Sequence, residues 1–127
     1  MAQVPDLTFE KLVFHPKRPK WLNVWECAYS CDNGCILYVS TGDMLNCRRK
    51  DECLTKDPVT PEDFETFCLS AFRAKDSKLI SLLYDGKFRG HLRQISREDV
   101  LNAIQKVSSI KPYVVDYSDE NIFVRLS

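Results

Sequence analysis

Two hydrophobic rhythms run along this chain, one of period two before the charged stretch 48–58 and one of helical period after it. In the first half, Leu7 to Phe14 reads as a first strand, ended by His15-Pro16 and the basic loop Lys17-Arg18-Pro19-Lys20. From Trp21 to Tyr29 the residues Trp21, Trp25, Cys27 and Tyr29 share one face of a second strand, with Asn23 the exception. Asn33-Gly34 predicts a type I′ hairpin turn, because both residues accept positive φ. Cys35 to Val39 then returns as the partner strand. After a turn at Thr41-Gly42-Asp43, the residues Met44 to Cys47 form a further short strand.

The second half predicts helices. Thr60-Pro61-Glu62-Asp63 has an N-cap threonine, proline at the first helical position and acids in the first turn. Phe64, Phe67, Cys68, Ala71 and Phe72 then follow the i, i+3, i+4, i+7, i+8 spacing of one helix face. Ser77 caps a shorter helix through Leu83, stopped at Gly86, and Lys87 to Ile95 is irregular. Ser96 caps a third helix, whose buried face is Val100, Leu101, Ile104 and Val107. Pro112 ends it, and the β-branched and aromatic run Tyr113 to Leu126 predicts a closing hairpin around the loop Ser118 to Asn121. The expected fold is α+β: an N-terminal antiparallel β-meander packed with two or three helices and a C-terminal β-hairpin, in one domain over residues 1–127.

Composition narrows the function classes. Eighteen Lys plus Arg balance eighteen Asp plus Glu, whereas a dedicated nucleic-acid binder usually carries a basic excess to meet phosphates. The start Met1-Ala2-Gln3-Val4-Pro5-Asp6 lacks the basic residues and apolar run of a signal peptide. No stretch approaches the roughly 18 apolar residues of a membrane span, so no membrane partner is expected. Six cysteines without a secretory leader imply reduced thiols and a cytoplasmic or nuclear location.

The cysteines run Cys27-x3-Cys31-x3-Cys35, then Cys47-x5-Cys53, then Cys68. Cys27, Cys31, Cys35 and Cys47 are the candidate zinc ligands, with spacers near those of structural sites, and His15 and His91 lie far away in sequence. Zinc is the only cofactor this pattern admits, and the compartment argument favours free thiols, with Cys27 and Cys68 as core residues. With a three-residue hairpin loop Cys31 and Cys35 face one another; with a two-residue turn they are out of register.

The stretch from Lys87 to Arg97 carries Lys87, Arg89, His91, Arg93 and Arg97 with no acid, and runs into a helix N-terminus. Those five residues are the candidate binding site for a nucleic acid or an acidic partner; the competing role is a solvated loop paired with Asp85, Glu98 and Asp99. From Thr60 onward the order helix, helix, short strand, helix, two-stranded wing resembles a winged-helix arrangement. That likeness makes Arg97, Asn102, Gln105 and Lys106 the outward residues of the reading helix, although the wing loop 118–121 is acidic. Trp21, Trp25 and Tyr29 are read as core, with an aromatic docking face as the alternative. No phosphate-binding glycine loop, HExxH pattern or nucleophile elbow is present. The expected function is therefore a non-enzymatic protein-interaction or regulatory domain with a protein partner, and the alternative is a nucleic-acid-binding domain using residues 87–97.

Overall fold

A computed structural model describes residues 7–126. Among the described residues, nine strands form two sheets: β1 (His15–Pro16), β2 (Val24–Ser30), β3 (Cys35–Gly42), β4 (Phe67–Arg73), β5 (Lys78–Leu79), β6 (Ser81–Tyr84), β7 (Lys87–Arg89), β8 (His91–Ile95) and β9 (Phe123–Arg125). Two helices, α1 (Arg97–Ser108) and α2 (Pro112–Tyr117), complete the regular structure with five 3-10 turns. Six strands pair in the order β1-β2-β3-β4-β5, with β8 also on β4; the other three pair as β7-β6-β9. Every pairing between strands is antiparallel except β6 with β9, which is parallel.

The expected α+β arrangement is corrected: strands dominate, and α1 is the only helix longer than two turns among the described residues. The predicted helix over 60–72 is a 3-10 turn at Pro61–Asp63 followed by β4. The start signals at Thr60 act over a single turn, where the Asp63 carboxylate accepts the Thr60 amide at 2.8 Å. Beyond it Phe67, Leu69 and Ala71 alternate into the core, and Cys68, Ser70 and Phe72 point the other way. That alternation fits an extended chain paired with β3 and β8, and the ladders on both sides override the helical spacing. The second predicted helix, 77–83, is β5 and β6, and Lys87 to Ile95 is β7 and β8. Asp85 and Gly86 both have positive φ and turn β6 into β7 as a two-residue loop.

The closing hairpin is also corrected. Pro112 stands at the first position of α2, which carries Tyr113 and Tyr117 outward and buries Val115. Only β9 survives as strand, and it pairs with β6, not with residues 113–117. With the 60–72 helix and the wing both absent, the winged-helix order no longer describes the chain. Leu7 to Phe14 is not a strand either: Phe9–Lys11 is a 3-10 turn that puts Phe9 and Leu12 into the core, and Asp43–Leu45 is another.

The predicted third helix is present as α1, with the Ser96 hydroxyl accepting the Asp99 amide at 3.1 Å. Its face Val100, Ala103, Ile104 and Val107 packs on Cys35, Leu37, Val39, Phe67, Leu69 and Ala71 of the six-stranded sheet. Phe9, Leu12, Val115, Ile122 and Val124 close the rest of that core. Arg73, at the end of β4, holds the α2 segment through the Val115 and Ser118 carbonyls, with Asp76 fixing its guanidinium.

The β2–β3 hairpin joins this layer by one side chain. Its loop has three residues, with Ser30 opposite Ile36, and only Gly34 takes positive φ, so the expected type I′ turn is replaced by a turn ending in a glycine bulge. That loop turns Asn33 inward. The buried amide donates to the Val107 and Ile110 carbonyls, both at 2.8 Å, and accepts the Cys35 amide at 3.1 Å. Asn33 thereby satisfies the Ile110 carbonyl just past α1 and gives the Val107 carbonyl a second partner beside the Ile110 amide. Replacing it by alanine, Asn33→Ala, orphans buried groups and is expected to cost about 2–3 kcal/mol, measured by urea denaturation; a loss within error of zero contradicts this clamp.

Candidate functional site

With α1 on one face of the six-stranded sheet, the opposite face stays open. Ile36, Tyr38 and Ser40 of β3 and Cys68, Ser70 and Phe72 of β4 project there, alternating with the buried residues of the same strands. Tyr38 lies opposite Ser70, Phe72 opposite both Ile36 and Leu79, and Ser70 also opposite His91. The Tyr38 and Phe72 rings stack, with centroids 5.1 Å apart and planes 29° apart, and Tyr38 is 47% exposed.

Beside this stack runs a groove of about 440 Å³, lined by Tyr38, Ser40, Met44, Cys68, Ser70, His91 and Arg93. One wall is the turn Asp43–Leu45, the other is β8. Gly42 lets the turn leave β3: at φ +147°, an added Cβ there would lie 2.0 Å from the Asn23 carbonyl oxygen. Arg49 then fixes the turn from outside. It grips Asp43 at 2.9 and 2.6 Å, and its other nitrogen donates to the carbonyls of Cys53, Leu54 and Lys56. The Arg49 guanidinium, with help from Asn23, holds the Asp43 carboxyl below its ordinary range. The charged stretch 48–58 is thus folded around one arginine.

The β8 wall carries an irregularity. The β4–β8 register slips between the Phe67–Ile95 and Leu69–Leu92 pairs, so Arg93 and Gln94 stand against Cys68 alone. Gln94 takes φ +57° and links three elements: its oxygen accepts the Thr66 hydroxyl at 2.6 Å, and its amide nitrogen donates to the Asn46 carbonyl at 2.5 Å. Both walls are therefore tied to each other across the groove floor.

The five basic candidates separate. His91 and Arg93 sit exposed at the groove. Lys87 and Arg89 lie on β7 in the three-stranded sheet, beside an exposed edge-on pair of Phe88 and Phe123 with centroids 5.1 Å apart. Arg97 is structural: it donates to the Glu62 and Phe64 carbonyls and lies 4.7 Å above the Phe9 ring. Of the supposed reading-helix residues, Asn102 is turned to the Leu126 carbonyl at 3.0 Å. Trp25 packs half-buried beside Phe64, with centroids 6.1 Å apart, whereas Trp21 is 73% exposed outside β2.

All six cysteines are free thiols. Cys27 and Cys35 are buried in the main core, and Cys31 is half-buried with its sulfur 3.2 Å from the Ser108 hydroxyl. Burial pushes the thiols of Cys27 and Cys31 up, and that of Cys35 up to about 12. Cys47 belongs to a separate cluster with Val59 and Phe64, so the four zinc candidates are divided between two cores. Among the described residues, no group of three or more His, Cys, Asp or Glu side chains comes together to hold a metal. The residue that sequence reasoning missed is Cys68. It lines the groove and packs against the cluster that holds Cys47. Twenty residues of intervening chain hide that pairing, and only the alternation of β4 hints that Cys68 faces outward.

The segment behind the groove depends on carboxylates. The Lys56 ammonium, 2.8 Å away, and the Thr60 amide hold the Asp63 carboxyl down at about 2. A carboxyl lowered on folding stabilises the fold above its unfolded value and loses that contribution as pH falls through its folded value. The urea midpoint, followed by Trp25 emission, is expected to drop between about pH 4 and pH 2, and less steeply in Asp63→Asn; equal slopes contradict the assignment. Compared with protein-family models, curated proteins and solved structures, the chain matches none of them, so function rests on the chemistry of the site itself.

Proposed function

We propose that the protein is a non-enzymatic interaction domain that takes a protein partner on the open face of its six-stranded sheet. The observation that carries this reading is the stack of exposed Tyr38 on half-buried Phe72, beside a groove whose walls are pinned by Arg49 and Gln94. Tyrosine, phenylalanine, methionine and arginine are the residues that concentrate binding energy at protein interfaces, and Tyr38, Phe72, Met44 and Arg93 stand together here. Ser40 and Ser70 keep the groove floor low, which leaves room for a side chain from the partner. A rigid receiving surface also avoids part of the ordering cost of association.

A second reading has its own support. Stacked aromatics next to Arg93 and His91 offer a platform for the bases of a single-stranded nucleic acid. The charge balance weighs against it: the chain has no net positive charge, and Arg93 is the one lysine or arginine lining the groove. No membrane partner is proposed; among the described residues no helix is long and apolar enough to cross a membrane.

A photoactivatable amino acid at Ser70 separates the two readings. The expected outcome is a protein adduct that weakens about tenfold or more in Tyr38→Ala/Phe72→Ala, because such aromatics act as hot spots. Labelled single-stranded oligonucleotides are expected not to bind even at low salt. Oligonucleotide binding with a steep salt slope, lost in Arg93→Ala, would replace the protein reading with the nucleic-acid one.

A further inference from the structure

We propose that Cys47 and Cys68 form an oxidisable thiol pair, a modification site at which a hydroperoxide-class oxidant closes a disulfide between the two. The backbone brings the two sulfurs together from distant parts of the chain. Residues 47–49 run antiparallel to 64–66: the Arg48 amide donates to the Thr66 hydroxyl at 2.7 Å, the Glu65 amide to the Arg48 carbonyl at 2.7 Å, and Arg49 bridges Phe64. This extra pairing sets Cys47 beside the start of β4, where Cys68 packs against the cluster that holds Cys47. Cys47 is almost fully covered, while Cys68 borders the groove, so a small oxidant reaches the pair from the open face.

The surroundings suit a shared proton. When one sulfur loses its proton, the other thiol donates to it, and backbone hydrogen bonds from Gly42 and Gln94 add to the two sites. Arg93 lies near enough to Cys68 to favour negative charge there. The pair therefore gives up its first proton well below an ordinary thiol and its second well above it. The other close thiols lack this arrangement. Cys31 and Cys35 face one another directly across the hairpin loop, a placement that strains a disulfide, and burial keeps both protonated.

The chemistry balances as follows. The charged sulfur attacks one oxygen of hydrogen peroxide, the O–O bond breaks, and hydroxide leaves to be protonated by solvent. The resulting sulfenic acid is attacked by the second sulfur, which forms the S–S bond, gives up its proton and expels water. Two electrons pass from the dithiol to the peroxide, yielding a disulfide and two waters. A thiol reductant reverses it by exchange.

The test treats the reduced chain with one equivalent of hydrogen peroxide, blocks remaining thiols and maps tryptic peptides. Cleavage isolates Cys68 in residues 57–73 and leaves Cys47 in residues 21–48 together with Cys27, Cys31 and Cys35. The expected product is a link between those peptides, two hydrogens lighter, assigned to Cys47 by fragmentation and reversed by dithiothreitol. Peroxide consumption is expected to slow about tenfold or more in Cys47→Ser and in Cys68→Ser, since the paired thiolate is lost. A link through Cys27, Cys31 or Cys35, or separate oxidation of single cysteines, overturns the proposal. A readout on the unaltered chain guards against variants that fail to fold. Thiolate absorbance should show one equivalent appearing below the pH range of ordinary thiols, and its absence there overturns the proposal equally.

Discussion

One twelve-residue helix has to serve a six-stranded sheet, and that shortage shapes the molecule. A helix of this length spans about 18 Å and is about 10 Å wide, whereas the sheet is five strand positions wide, since β5 and β8 share one edge of β4, and reaches about 19–24 Å. Even one face is therefore too broad for α1. The remainder of the inner face is filled by shorter pieces: the turn carrying Phe9 and Leu12, the short α2 with Val115, and β9 with Ile122 before it. The outer face is covered at its Cys68 end by the 43–47 segment and stays open around Tyr38 and Phe72. Asn33 at one end of α1 and Ser96 at the other make the single covering element a fixed one.

How much of this was legible depends on the range of each interaction. The helix α1 was readable because its cap and its apolar stripe are encoded within a dozen consecutive residues. The hairpin β2–β3 was readable as well, although Asn33 took a role in the core that a turn signal does not announce. The stretch 64–72 satisfied both periods: Phe64, Phe67, Cys68, Ala71 and Phe72 mark a helix face, and Phe67, Leu69 and Ala71 mark a strand face. Partners on both edges decided between them, and β3 and β8, which hold most of β4, lie more than twenty residues away. Asp85-Gly86 was a local hairpin signal open to reading, obscured by the apolar run before it. Tyr113 to Tyr117 has strand-like residues, but a proline in front and a buried position for Val115 favoured a short helix.

The candidate site divides along the same line. The basic stretch was visible as composition, yet strand geometry distributes it: His91 and Arg93 reach the groove, Lys87 and Arg89 the neighbouring sheet, and Arg97 an aromatic bed beneath the 61–64 turn. Arg49 and Gln94 hold the groove together through backbone carbonyls, which leave no mark in the sequence. The same is true of the Cys47–Cys68 contact, since the spacing between two cysteines says little about their distance when strands carry them.

The parallel pairing of β9 with β6 has a consequence for the order in which the chain acquires its shape. The β6–β7 hairpin emerges from the ribosome about forty residues before the strand that completes its sheet, and such distant pairing is slow to form. Until then the edge of β6 and the underside of α1 are both uncovered. The last strand thus acts as a latch on a nascent chain, and its arrival marks the moment when the inner core is sealed from other chains in the cell.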